Sequence, residues 1–384
     1  MKEIRKILQL YSQIDFARQK VALATVVRVE GSSYRRPGAK MLITDDGRWE
    51  GAISGGCLEG DALRKARQVM LDGKPMVVTY DTMNDDANSL GVGLGCNGII
   101  DVFIEPIEPE PAQDAPSRNH TIDFWQRYVS RREAFVMAKV IRASESYAGA
   151  QRWNFSETDD PHVWQHRTDR PVIERQLLAD AEAMRQSPAP VLKRYETDTA
   201  WAEVYIESVQ PEIELVIFGG GYDVPPLVQM AKVLGWHVTV TEDCIAHVAP
   251  KRFPGADAVR LIDRNSITQE IKTSPRMAAV LMSHGYKYDK AVLEQLLASD
   301  IGYIGMLGPR KRFEKMMGEW ENEEKSIDED RLVQVHSPIG LDIGAETPDE
   351  IALAVLAEIQ AHFSGKSAAP LRLKQGPIHE RMHS

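Results

Sequence analysis

Between Glu214 and about residue 363 the chain alternates short apolar runs with amphipathic ones, and this rhythm limits the fold more than any other feature. Strands are expected at LVIF (215–218), HVTVTED (237–243), AVRLI (258–262), AAVLMS (278–283), GYIGML (302–307) and LVQVH (332–336). Helices are expected between them, with one over about 225–234 and a last one over about 348–363. Strands joined by helical crossovers build a doubly wound, mostly parallel sheet. Gly219-Gly220-Gly221 follows the first strand at once, where a pyrophosphate would lie on a helix start. The acid expected about 20 residues later is Glu242, with Asp243 beside it, and either could accept from ribose hydroxyls. Val224 stands at the third glycine position of GxGxxG, where it would crowd the helix against the sheet. Pro225 and Pro226 are tolerated only in a first helical turn. His284, Asp289, Gly305, Gly308, Arg310 and His336 fall at strand ends or the turns after them, where such a sheet keeps its ligand crevice.

The preceding part reads differently. VALATVVRV (21–29) is a buried strand, MLIT (41–44) a second, and WEGAIS (49–54) a third after an Asp46-Gly47 hairpin turn. Ser54-Gly55-Gly56-Cys57 then enters LEGDALRKARQVMLDG, whose apolar spacing is helical and which closes at Gly73. Backbone N–H groups at a helix start are unpaired and favour anions. The same dipole favours a thiolate; cysteine pKa values in such places fall from about 8.5 to roughly 3.5–7.5. A soft thiolate beside such amides suits a metal or a phosphate-bearing cofactor, while a cysteine under a helix also serves as a small core hydrophobe. A second glycine-rich stretch, GVGLGCNG (91–98), carries Cys96 and leads into the strand IIDVFIE. Cys57 and Cys96 are too far apart for a zinc knuckle.

With 384 residues the chain has room for two domains. A net charge of -10 and the lack of any dense basic run exclude a nucleic-acid surface. The start, MKEIRKILQLYSQ, is an amphipathic helix pattern rather than a signal peptide, and no apolar run is long enough for stable membrane insertion. Three cysteines, Cys57, Cys96 and Cys244, fit a reducing cytoplasm better than a disulfide framework. The expected domains are 1–210, with a proline- and acid-rich linker at about 106–118 and a divergent part at 119–210, then 211–365, then a flexible tail at 366–384. The fold class is thus α/β: an N-terminal α+β domain followed by a Rossmann-type doubly wound parallel sheet.

Two echoes cross the first domain. ATVVRVEGS (24–32) is similar to AKVIRASES (138–146), and DVFIEPIEPE (101–110) to EVYIESVQPE (203–212), in preserved order. They suggest a degenerate duplication whose second copy lacks the Gly-Gly-Cys loop, although strands also look alike by chance. Trp153, Phe155, His162, Trp164 and His166 read as a surface or partner-contact loop. His379-Glu380-Arg381-Met382-His383 is a formal HExxH, but it lies at the terminus without a helix pattern or third ligand, so no zinc is expected.

GSSYRRPGAKMLITDDGRWEGAISGGCLEG and LGVGLGCNGIIDVFIEP resemble the two amino-terminal signatures of the XdhC/CoxI family, the accessory factors of xanthine dehydrogenase. FGGGYDVPPLVQMAKVLGW, MSHGYKYDKAVL, YIGMLGPRKR and HSPIGLDIGAETPDEIALAVLAEI resemble its carboxy-terminal domain in order and spacing. The resemblance implies a cytoplasmic, non-catalytic chaperone that binds molybdenum cofactor (molybdopterin), assists its sulfuration and inserts it into an apo molybdenum hydroxylase of the xanthine dehydrogenase type. A cysteine desulfurase would be the sulfur donor, and a homodimer would be compatible. Implied cofactor-binding residues are Gly55, Gly56, Cys57, Glu59 and Cys96, with Arg35 and Arg36 for the phosphate. In the second domain Gly219, Gly221, Glu242, Asp243, His284 and Arg310 would line a nucleotide site, for NAD(P) if it is occupied. Cys244 departs from the arginine common in the family at that place, which weakens any case for a 2′-phosphate. Two other readings remain open: an NAD(P)-dependent oxidoreductase with His284 or His336 as acid/base, and a scaffold for hydroxylase maturation that holds no cofactor.

Overall fold

The computed structural model describes residues 1–82, 98–108, 121–147, 152–156, 171–186, 189–244, 246–325 and 327–375. Two compact units divide the chain, the first running to Pro211 and the second spanning Glu212–Leu373.

The first unit opens with α1 (Lys2–Tyr11), β1 (Val21–Gly31), β2 (Lys40–Thr44), β3 (Trp49–Gly51), α2 (Glu59–Asp72), β4 (Met76–Asp81) and β5 (Gly98–Ile107). It continues with α3 (Thr121–Arg131), β6 (Phe135–Ala143), β7 (Arg152–Ser156), α4 (Pro171–Gln186), β8 (Val191–Glu196) and β9 (Trp201–Val209). The strands form two antiparallel sheets, ordered β3-β2-β1-β5-β4 and β7-β6-β9-β8. In β1, Ala22, Ala24 and Val26 face α2, while Val21 and Leu23 face the other way, toward α1, α3 and residues of β6 and β9. Strand β6 does the same with Val136, Ala138 and Val140 against α4, and Phe135 and Met137 opposite. Alternation along the strand therefore supplies two apolar faces per sheet, one for a helix and one for the other sheet.

Three details differ from the expectation. The third strand ends at Gly51, well short of Ser54. Gly51 has φ 89°, and a Cβ there would lie 2.2 Å from the Lys40 carbonyl, so the chain turns away from the sheet at that point. The amides of Ile53 and Ser54 are taken by a side chain instead of a strand partner. The 152–156 stretch is strand β7, paired with β6 from Phe135↔Ser156 to Lys139↔Arg152, rather than a loop. Strands β4 and β8 were not expected, because MVVTYD and VLKRYE are edge strands, only partly buried.

The second unit is β10 (Glu214–Phe218), α5 (Val224–Leu234), β11 (His237–Glu242), β12 (Ala258–Leu261), α6 (Ile267–Glu270), β13 (Met277–Leu281), α7 (Tyr286–Leu297), β14 (Tyr303–Met306), α8 (Arg310–Asn322), α9 (Glu329–Leu332), β15 (Val335–His336) and α10 (Pro348–Phe363). All six strands are parallel, in the order β12-β11-β10-β13-β14-β15. The order reverses between β10 and β13, which makes the glycine turn after β10 the topological switch point. Helices α5 and α10 cover one face and α7 and α8 the other, so β10 and β13 are buried on both sides. Val224 is fully buried beneath α5, filling the gap that a third glycine would leave, and Pro225-Pro226 occupy the first turn. Thr347 and Glu350 form a capping box that starts α10.

Candidate functional site

The loop from Ile53 to Leu58 is held from inside by Glu59. Its carboxylate accepts from the Ile53 amide at 3.2 Å, the Ser54 amide at 2.7 Å and the Ser54 hydroxyl. Ser54 Oγ in turn accepts from the amides of Gly56 and Leu58, both at 3.1 Å, and lies 3.5 Å from Cys57 Sγ. The Ser54 proton is committed to Glu59, so Ser54 receives from the thiol rather than donating to it. Burial pushes the Glu59 carboxyl up, but the Ser54 hydroxyl and the Ser54, Glu59 and Ile53 amides outweigh it and leave the pKa below its ordinary value. Glu59 is therefore a positioning residue: it is buried and its acceptors face the loop.

Cys57 is partly exposed and packs on the α2–β1–β5 core. Gly56 has φ 117°, a conformation that excludes most side chains, with nothing within 4 Å of where a Cβ would be. Gly55 faces the ring of Tyr34, which a Cβ would approach to 3.2 Å. Tyr34 itself is 69% exposed and forms an aromatic wall beside bare backbone. Sequence reading passed over Tyr34; the available signal was an aromatic residue inside the polar loop GSSYRRPG. Arg35 is turned to α1, where its Nη2 bonds both Glu3 oxygens at 2.5 and 2.7 Å. Arg36 is exposed. Cys96 and its glycine-rich stretch, like His162, Trp164, His166 and the terminal HExxH, lie outside the described residues.

In the second unit the glycine turn is packed from three sides. A Cβ on Gly219 would lie 2.6 Å from the Met282 carbonyl, and one on Gly220 only 2.2 Å from the His247 carbonyl. Gly221 faces the His284 ring. Glu242 is buried, and His247 Nδ1 lies 2.8 Å from its Oε2. Asp243 is paired with Arg264. His284 adopts φ 62°, unusual for a residue with a Cβ, and points Nε2 to within 3.8 Å of Asp223. Asp289 is fully buried, bonding Ser283 Oγ at 2.6 Å and Arg312 Nη2 at 2.7 Å. Burial raises its carboxyl despite those partners. Arg310 is exposed at the start of α8. Gly305 and His336 pair inside the sheet, and His336 is stacked on Tyr303 and bonded to Glu358.

Gly219, Gly221, Asp223 and His284 therefore come together, whereas Glu242 and Asp243 are each engaged by a neighbouring cation or imidazole. Among the described residues no three metal-ligating side chains converge, and no helix is long and apolar enough to cross a membrane.

Residues 215–359 match the model of the XdhC Rossmann domain, and residues 17–81 that of the XdhC and CoxI family. A Bacillus subtilis protein, named as a probable subunit of xanthine dehydrogenase, is 30% identical over 89% of this chain and 92% of its own length. The chain belongs to the XdhC and CoxI family. Another relative is the Escherichia coli protein named molybdenum cofactor insertion chaperone PaoD, 22% identical over 92% of this chain and 87% of its own. A solved structure from Bacillus halodurans, described as a xanthine dehydrogenase, has a TM-score of 0.73 at 29% identity and covers 96% of this chain and 98% of that one. The family's Rossmann domain is thus the second unit, and the family match in the first unit contains Tyr34 and the whole Ser54–Glu59 loop.

Proposed function

We propose that this chain is an accessory protein that holds molybdenum cofactor and delivers it to an apo hydroxylase of the xanthine dehydrogenase type. The observation that carries the reading is the Ser54–Glu59 loop, which presents a half-exposed thiol at a helix start on bare backbone beside an exposed tyrosine. The chemistry fits the cargo. A soft sulfur suits molybdenum, main-chain N–H groups at a helix start suit a phosphate, and a tyrosine face suits a flat heterocycle. Cys57 would be the ligand, Gly55 and Gly56 the bare platform, Tyr34 the stacking wall and Glu59 the brace. Arg35 would first have to leave Glu3 to serve as a phosphate partner, and Arg36 is exposed on the same loop. The names of the relatives support this assignment. Sulfuration of the bound cargo would be the work of a cysteine desulfurase partner in the cytoplasm; this chain needs only to bind, shield and release.

A dinucleotide finds less support. Binding its ribose at Glu242 would require His247 to leave that carboxylate, and its pyrophosphate would meet the His247 carbonyl over Gly220. The test is equilibrium binding of purified molybdenum cofactor to wild type, Cys57→Ala and Cys96→Ala. Saturable wild-type binding that Cys57→Ala weakens at least tenfold in a folded protein is expected. No wild-type binding overturns the proposal, and binding indifferent to Cys57→Ala overturns the assigned site.

A further inference from the structure

The two sheets of the first unit match residue for residue. Strand β1 pairs with β5 from Val21↔Ile107 through Val26↔Val102 to Gly31↔Gly98. Strand β6 pairs with β9 from Phe135↔Val209 through Val140↔Val204 to Ala143↔Ala202. Each ladder has one irregularity, between Val26 and Arg28 in the first and between Val140 and Arg142 in the second. These are the same point under a shift of 114 positions, the shift that separates ATVVRVEGS from AKVIRASES. A bulge interrupts ladder bonding, so its position is a specific feature of a strand. Among the described residues the element order agrees as well: helix, two strands, helix, two strands, with β3 as the one addition. The spatial orders β2-β1-β5-β4 and β7-β6-β9-β8 are the same.

Where the sheets face each other, contacting residues come in equivalent pairs. Val27, Phe103, Ile141 and Tyr205 form one cluster, with Val77 and Leu192 against it. Val27 and Ile141 are the two bulge residues, Phe103 and Tyr205 lie opposite Thr25 and Lys139, and Val77 and Leu192 pair with Phe103 and Tyr205. Glu105 and Glu207, opposite Leu23 and Met137, are equivalent too. Each buried carboxylate takes a lysine from the other sheet: Lys139 bonds Glu105, and Lys40 bonds Glu207 at 2.6 Å. The lysines themselves are not equivalent. Lys139 matches Thr25, and Lys40, the cross-strand partner of Thr25, matches Arg152, the partner of Lys139. A buried carboxylate left alone is strongly destabilising, so a lysine that changes strand must stay within reach of it.

We infer that residues 121–209 are a second copy of the fold formed by residues 1–107, and that the two copies pair through these sheet faces as an internal dimer. The partner that this face fits is the other copy, so it is closed to a hydroxylase or a second chain. Helix α2 and the Cys57 loop belong to the opposite face of their sheet, and the second copy carries no cysteine. One chain therefore offers a thiol site in one copy only.

Moving each lysine to its equivalent place tests the pairing in the full chain. Lys40→Ala takes the counter-charge from buried Glu207, leaving it the Tyr205 hydroxyl at 3.2 Å, and is expected to lower the melting temperature by roughly 10 °C. Adding Thr25→Lys puts the amine where Lys139 stands in the other copy and should recover at least half of that loss. Lys139→Thr should likewise take the lysine from Glu105 and lower the melting temperature, and adding Arg152→Lys should recover part of that loss. If a single variant cannot be purified, soluble yield of the double against the single carries the comparison. Recovery in both pairs supports the internal dimer; a double variant no better than its single, in either pair, overturns it.

Discussion

Glu59→Ala removes the brace of the thiol loop. Besides its own amide, those of Ile53 and Ser54 and the Ser54 hydroxyl lose their acceptor at once. Bonds to a carboxylate contribute roughly 1.5–3 kcal/mol each, but the Ile53 contact is long at 3.2 Å and the three share one anchor. A total of about 3 kcal/mol is reasonable, which for a unit of this size is a fall of about 6–12 °C in Tm. Glu59→Gln keeps one acceptor oxygen and should lose about half as much. The loop itself should open further than the unit as a whole. A shift of about 1.4 kcal/mol in loop opening raises Cys57 alkylation about tenfold. Thermal unfolding and mass-resolved alkylation measure both effects, with exposed Cys244 as the internal reference. A Glu59→Ala protein that melts within about 2 °C of wild type, with an unchanged Cys57 to Cys244 rate ratio, would refute the brace.

Tyr34→Ala should weaken molybdenum cofactor binding by roughly 1 kcal/mol, about fivefold, with Tyr34→Phe near wild type, as read by quenching of pterin fluorescence. Gly220→Ala should cost several kcal/mol, because its Cβ meets main chain at 2.2 Å, whereas Gly221→Ala meets only the exposed His284 ring and should cost under about 1 kcal/mol; differential scanning of the two variants separates them. Glu358 is held down to about 2: burial pushes it up, but His336, Tyr303 and the Gly340 amide outweigh burial. Because the folded pKa is depressed, its contribution of about 3 kcal/mol is complete above pH 4.5 and disappears as pH falls toward 2. The Tm difference between wild type and Glu358→Gln should therefore close across that interval.

The second unit was largely legible in the sequence, although the strand expected at 332–336 is only Val335–His336, because Leu332 ends α9. Strands such as LVIF and AAVLMS are apolar throughout because helices bury both sheet faces, and that pattern needs no knowledge of partners. The entry of Gly55-Gly56-Cys57 into a helix was legible for the same local reason, since loop glycines and helical spacing are read within a few residues. Edge strands β4 and β8 were not, because their partial burial leaves weak patterning. The bracing role of Glu59 was not legible in the sequence. The residue entered as a cofactor-binding candidate through the family resemblance, and only the folded loop shows both oxygens turned back toward Ile53 and Ser54. Glu242 shows the same limit: its spacing from the glycine turn marks it for a ribose, yet His247, brought back over the turn, engages it. Sequence by itself determined the parallel sheet and the thiol loop, because these rest on local periodicity and short-range turn chemistry, and its motifs carried the family resemblance. Tertiary structure alone decided which polar groups are free and which copy faces which, because long-range pairs such as Lys40–Glu207 form only once the sheets have packed.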